Sequence, residues 1–260
     1  MRKLSFCTSC MNRFHHLKRT LLPNLENITY FGSKVEWVVL NYNSQDEMNQ
    51  GLRDYMRFIA SGHLTYYRTT DFPYFNHAHS KNLSHLLAGG DYVMNLDADN
   101  FIDIVGITRI LKMFRENADA VIKGYGGLVG LKRSHFLSLG GYDEDLHGWG
   151  YEENDLITRA RRLGLPYAKV SCLKRRIEHN DRERFENFDP ALLEEFAATD
   201  LAGIKRKMAA RNQGLSTAKS QEGKIRANEK RVFGKARVMK NFSNHAFEVG
   251  WMTGQQRRTS

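Results

Sequence analysis

Residues 91–103 read DYVMNLDADNFID. The run 92–96 (YVMNL) has strand length and is apolar enough to lie at the centre of a parallel sheet. It ends on Asp97-Ala98-Asp99. Two carboxylates at i and i+2 leaving a strand can place oxygens on one hard divalent cation and on a nearby ribose. The same pair could also be a helix-capping Asp beside a solvated one. On this segment alone both readings stand.

Working outward, strand and helix alternate. Residues 4–9 (LSFCTS) read as a strand, and Asn12 can cap a helix from Arg13 with Phe14, Leu17, Leu21 and Leu25 on one face. Pro23 is expected to kink or end the first part of that helix. A buried strand follows over 35–40 (VEWVVL), then a turn through Asn41, Asn43, Ser44 and Asp46 into a helix over 46–60. A third strand covers 64–68, and a helix over 77–88 ends at Gly89-Gly90. Beyond Asp99 the pattern predicts a helix over 103–117, a strand near 119–122, a helix over 153–163 and a strand over 167–173. Residues 190–212 read as helical, and 213–260 are polar and basic with no clear period.

This alternation predicts an α/β fold with a mostly parallel sheet and helices on both faces. Ligands in such sheets bind at the carboxyl ends of the strands. The polar clusters Thr8–Ser9, Asn41–Asn43 and Asp97–Asp99 fall at those ends.

The chain of 260 residues is 41% hydrophobic, enough for one sizeable core. No apolar run approaches the roughly 20 residues of a membrane span, and no signal-peptide pattern opens the chain. Three cysteines do not make an even disulfide set. A cytoplasmic location is therefore expected. The net charge of +10 is uneven. Residues 1–200 hold 25 Lys/Arg against 26 Asp/Glu, whereas 201–260 hold 14 against 3. Such a tail is expected to meet an anion: a nucleic acid, an anionic membrane surface or an acidic acceptor. A solvated tail, or one docked on a protein, is the plainer alternative.

Two further segments carry chemistry. In Gly148-Trp149-Gly150-Tyr151-Glu152-Glu153-Asn154-Asp155, glycines flanking a tryptophan allow close backbone approach to a ligand beside a flat ring. The acids could supply a general base and a hydrogen-bond acceptor, or simply favour a helix N-terminus. His179, in Ile177-Glu178-His179-Asn180-Asp181, could complete a site begun by the Asp pair. Cys7-Thr8-Ser9-Cys10 has redox spacing, but the chain is far longer than a minimal redox domain. His15, His16, His77 and His79 have no partners at closed zinc-site spacing and read as surface or core residues. The glycines over 124–130 do not match a dinucleotide fingerprint.

The stretch YGGLVGLKRSHFLSLGGYDEDLHGWGYEENDLITR (125–159) resembles the signature of β-1,4-galactosyltransferase-type enzymes and of related family-two-like glycosyltransferases. CTSCMNRFHHLKRTL (7–21) is similar to the family's opening strand and helix, PYFNHAHSKN (73–82) to its Phe-Asn-x-Ala segment, and Asp97-Ala98-Asp99 to its DxD. His179, 26 residues after Glu153, stands near the family's last metal ligand.

The resemblance implies a GT-A fold over residues 1–185, with 186–260 as a basic helical or irregular extension. It implies a UDP-sugar donor, Mn²⁺ or Mg²⁺, and an inverting transfer to a saccharide or glycoconjugate hydroxyl. A hydroxylated base of nucleic acid is the alternative acceptor, and a nucleotide-sugar-binding protein without activity the alternative function. By this resemblance Phe75 stacks on the uracil, Ser9, Arg13 and Gly127 line the donor site, and Trp149 and Glu152 border donor and acceptor sugars. Asp97 touches ribose or metal, Asp99 and His179 ligate metal, and Glu153 is the base. Glu153 stands where the family usually has Asp, and Ser9-Cys10 replace a proline-aromatic pair.

Overall fold

The computed structural model describes residues 3–172, 175–178, 181–197 and 200–253. The first half runs β1 (Leu4–Cys10), α1 (Phe14–Thr29), β2 (Val35–Tyr42), α2 (Met48–Gly51), α3 (Met56–Ala60), β3 (Leu64–Thr69), α4 (His77–Leu86), β4 (Tyr92–Asn95) and α5 (Ile104–Glu116). The second runs β5 (Val121–Lys123), β6 (Val129–Lys132), α6 (Arg133–Ser138), α7 (Glu152–Arg162), β7 (Tyr167–Lys169), α8 (Asp181–Phe185), α9 (Pro190–Glu195), α10 (Leu201–Gln221), β8 (Val232–Lys240) and β9 (Ala246–Met252).

One sheet takes all nine strands in the order β7-β5-β6-β4-β1-β2-β3-β8-β9. Its centre, β4-β1-β2-β3, is parallel. Strand β2 shows why both faces are covered. Val35, Trp37 and Val39 pack with Leu17, Leu21 and Leu25 of α1. Val38, Leu40 and Tyr42 pack into the opposite cluster with Leu83, Leu156 and Phe233. Alternate side chains thus reach opposite faces, and neither face can be polar.

Several expectations are corrected. Asn12 does not cap α1. It takes φ 53° and donates to Asn187, while the side chain of Asp46 accepts from the Phe14 N–H. Pro23 does not end α1, because its site is exposed and Leu25 and Ile28 beyond it are buried. The helix over 46–60 is broken into α2, a 3₁₀ turn and α3. Gly51 packs on the Phe14 ring so closely that a Cβ there would meet it at 2.3 Å. Strand β6, hidden in the glycine-rich run, lies antiparallel between β4 and β5.

The basic extension also differs from the helical or irregular segment expected. It contains α10 and the hairpin β8–β9, with β8 antiparallel to β3. Phe233 and Val238 are fully buried. Asn228 donates to the carbonyls of Gly140 and Tyr142, both at 2.7 Å. Much of the positive charge has partners inside the chain. Lys219 bonds Asp143 and Asp145, Arg231 pairs with Asp145 at 2.9 Å, and Arg237 pairs with Asp71. No helix among the described residues is long and apolar enough to cross a membrane.

His85 of α4 is 1% exposed and stacks on Phe136 with ring centroids 4.8 Å apart. Burial pushes its imidazole down to about 3, from 6.5 when solvated. Between those values the unfolded chain binds the extra proton. This contribution to stability is therefore complete above pH 6.5 and is lost as pH falls toward 3. Urea denaturation below pH 6.5 is expected to show stability falling by up to about 1.4 kcal/mol per pH unit from this residue. His85→Phe should flatten that slope; an unchanged slope would assign it to other groups.

Candidate active site

The strand end that opened the sequence reading is braced from four sides. The Thr8 hydroxyl donates to the Leu96 carbonyl. Thr20 of α1 donates to the Ala98 carbonyl at 2.8 Å, and Asn24 holds both the Asn100 carbonyl and the Ile102 N–H. Asn95 donates to the Asp97 carboxylate at 2.8 Å and to the Gly127 carbonyl at 2.9 Å. A Cβ at Gly127 would sit 2.5 Å from an Asp97 oxygen, so only glycine admits this approach. The Asp99 carbonyl accepts from Ile177, which ties residues 175–177 to the same loop.

Across from Asp97 and Asp99 stands the start of α7. Tyr151 takes φ 78° just before Glu152. Gly148 and Gly150 also have positive φ, at 75° and 92°. Both glycines pack on α10: a Cβ at Gly148 would meet the Met208 sulfur at 2.8 Å, and one at Gly150 the Ala209 side chain at 3.3 Å. The Gly-Trp-Gly spacing is thus set by the helix behind it. Asn212 of α10 donates to the carbonyls of His147 and Gly150. Trp149 lines the cleft, with the Lys205 ammonium 4.5 Å from its ring.

Ser9, Arg13, Phe75, Asp97, Asp99, Gly127, Trp149, Glu152 and Glu153 all line one cleft of ≈ 480 Å³. His179 lies outside the described residues. Asp155, an acid of the same run, faces elsewhere. It is 2% exposed, and its two oxygens accept from Arg159 and Ser216. Cys7 and Cys10 are both buried as free thiols, and burial pushes Cys10 up to about 12, which removes the redox reading.

Sequence reading missed Lys81. It is 5% exposed and donates to Glu152 at 2.9 Å and to Glu153 at 2.5 Å. Burial works against the Lys81 ammonium, but Glu152 and Glu153 outweigh it and hold the group well above the ordinary lysine range. The three charges therefore form one buried ionic cluster at the cleft wall. The available signal was α4 itself, whose residues 80–86 are all buried although most are polar. A lone lysine in such a helix needs a buried partner.

Arg13 also has a fixed setting. Burial lowers its guanidinium from the usual value, with the Asp99 charge pulling the other way. Its Nη2 lies 2.7 Å from His16 Nδ1. A guanidinium only donates, so Nδ1 accepts and Nε2–H faces Glu183 at 3.4 Å. His15, His16 and Glu183 lie close enough to hold an ion, but this tautomer makes His16 a link between Arg13 and α8.

A family model for the N-terminal domain of galactosyltransferase matches residues 114–183, which include Trp149, Glu152 and Glu153. No curated protein sequence matches the chain. Among solved structures it is similar to the mannosyltransferase PcManGT from Pyrobaculum calidifontis, in complex with GDP-Man and Mn²⁺ (TM-score 0.59, 16% identity, covering 84% of this chain and 75% of that one). It is also similar to GalNAc-T7 with UDP, GalNAc and Mn²⁺ (TM-score 0.58, 12% identity, 87% of this chain). The match spans 55% of the GalNAc-T7 chain. A mycobacterial protein aligns over 96% of this chain and 84% of its own, with TM-score 0.55 and 15% identity. The architecture is the GT-A fold. The family match, over residues 114–183, covers the segment carrying the site and points to a glycosyltransferase of this fold.

Proposed function

We propose that the chain transfers a sugar from a UDP-sugar to a hydroxyl of a saccharide or glycoconjugate, with inversion at the anomeric carbon. One observation carries this reading: the Asp97–Asp99 pair and the Glu152–Glu153 pair face one cleft together with Arg13, Lys81, Lys123, Arg176 and Arg184. The cations suit a diphosphate. Phe75 offers a ring for the base, and Trp149 a flat surface for a sugar. The solved relatives with bound UDP or GDP-Man support a nucleotide-linked donor.

Glu153 is the base in this scheme. An acceptor hydroxyl is a poor nucleophile until a carboxylate takes its proton in the transition state. Lys81, hydrogen-bonded to it, holds that carboxylate in place. Attack from the Glu153 side, with the diphosphate leaving toward Asp97 and Asp99, displaces in line and inverts.

The residues also fit a divalent cation. Asp97 and Asp99 are hard oxygen donors, and Asn100 Oδ1 beside them is buried without a hydrogen-bond partner. Asp97, Asp99 and His179 would hold Mn²⁺ or Mg²⁺, which when bound supplies a Lewis acid for the diphosphate. A nucleic-acid acceptor is less favoured, because three of the tail cations that suggested it, Lys219, Arg231 and Arg237, have partners within the chain.

The experiment is UDP release from a panel of UDP-sugars, with GDP-mannose alongside, in Mn²⁺ or excess chelator. Chelator-sensitive release from a UDP-sugar is expected, and Asp99→Ala should lose metal-dependent UDP binding. Full activity in chelator would overturn the metal assignment, and release from GDP-mannose alone would overturn the donor.

Lys81→Met would leave buried Glu152 and half-buried Glu153 without their counter-charge, and stranding a buried charge typically costs about 3–5 kcal/mol. The variant is expected to melt well below wild type and to lose at least about tenfold in turnover, with Lys81→Arg recovering part of both. A Lys81→Met protein of wild-type melting temperature and turnover would show that the cluster is incidental.

A further inference from the structure

A second cleft, of ≈ 500 Å³, adjoins the first. Phe75 lines both, and the turn at 148–150 divides between them: Gly148 lines the second, Trp149 and Gly150 the first. Their charges differ sharply. The second cleft is lined by aromatic rings, Asp189 and Glu195, with no Lys or Arg among its lining residues. An anion entering it would meet two carboxylates and no counter-charge. An uncharged polyol would meet hydrogen-bond acceptors and flat apolar faces, the usual equipment of a pocket for a neutral polar ligand.

The rings are held in place. Phe72 stacks on buried Tyr42 with centroids 4.7 Å apart and planes 7° from parallel. Tyr42 in turn hydrogen-bonds His79 at 2.9 Å. The Asp189 carboxylate is fixed by the Ala191 N–H at 3.0 Å. Tyr74, at 42% exposure, stands at the surface of the cleft. Platform and acceptor are therefore ordered before any ligand arrives, which lowers the entropic cost of binding.

We infer that this second cleft receives the uncharged saccharide portion of the acceptor, beyond the sugar whose hydroxyl reacts. The inference rests on the proposed transfer to a saccharide. It divides the substrates by charge: the nucleotide diphosphate in the basic cleft, the neutral glycan in the acidic aromatic one. It also assigns the acceptor class, because a chain rich in uronic acid or sulfate would be repelled by Asp189 and Glu195.

The test is retention of the full-length protein, with Mn²⁺ and with or without UDP, on an array of uncharged di- and trisaccharides. The array also carries their constituent monosaccharides and matching uronic-acid-containing oligosaccharides. UDP affinity is measured in parallel by calorimetry. One or more uncharged oligosaccharides should be retained at least about tenfold more strongly than the monosaccharides. Tyr74→Ala and Glu195→Gln should each remove most of that preference and leave UDP affinity unchanged. Equal retention of mono- and oligosaccharides, no retention of any saccharide, preference for the acidic chains, or indifference to both substitutions would overturn the inference. Loss of UDP binding by the wild type would instead strike at the proposed donor, whereas UDP binding without an oligosaccharide preference would sink the second cleft alone.

Discussion

Glu153→Gln is expected to fold, to bind UDP with wild-type affinity, and to transfer sugar at least about two orders of magnitude more slowly. The substitution keeps the shape of the side chain and an oxygen that can still accept from Lys81, so the wall of the cleft should stand. What disappears is the basic electron pair. The loss should therefore fall on kcat, with the donor KM little changed. Single-turnover transfer and calorimetric UDP titration read the two separately. Transfer near the wild-type rate would move the base elsewhere. Glu152 would then be the next candidate, since it lines the same cleft, whereas Asp155 has both oxygens occupied outside it.

A chain ending at residue 213 is expected not to fold. The residues beyond that point are built into the sheet and its core and are not appended to them. Truncation removes β8, and with it fully buried Phe233 and Val238. It strips Lys219 and Arg231 from Asp143, which is 1% exposed. It also deletes Asn228, which holds the carbonyls of Gly140 and Tyr142. Emptying the space of one buried phenylalanine costs about 3–5 kcal/mol, and stranding a buried charge about as much. Together these rival the whole stability of an ordinary domain, about 5–15 kcal/mol. Circular dichroism and thermal melting of the truncated protein would settle the matter. A cooperative transition at the wild-type temperature, with UDP still bound, would contradict the prediction.

The central strands were legible because burial on both faces leaves one chemistry for them: VEWVVL and YVMNL can be little else. The residues that line the cleft were legible for a different reason. Asp97 and Asp99 follow the carboxyl end of a central strand, where such sheets bind ligands, and Glu152 and Glu153 follow glycines that allow close backbone approach. The partnerships were not legible. Lys81 meets Glu152 and Glu153 across 71 and 72 residues, and no local period encodes that distance. Strand β6 was hidden because glycine at 130 gives no strand preference; its reason is steric, since a Cβ there would meet the Met94 side chain at 2.8 Å. The hairpin β8–β9 was masked by charge. Strand β8 alternates exposed Lys235 and Arg237 with buried Ala236 and Val238, and in a basic segment the cations dominate the reading.

The pairing of β8 with β3 joins Tyr67 to Lys240. During synthesis the ribosome therefore makes the Asp pair, the paired glutamates and the turn around Trp149 well before the helix and strand that press them into shape. Until β8 emerges, the edge of β3 is an open template for other chains. The wall behind the cleft is thus completed by segments made after the residues that line it.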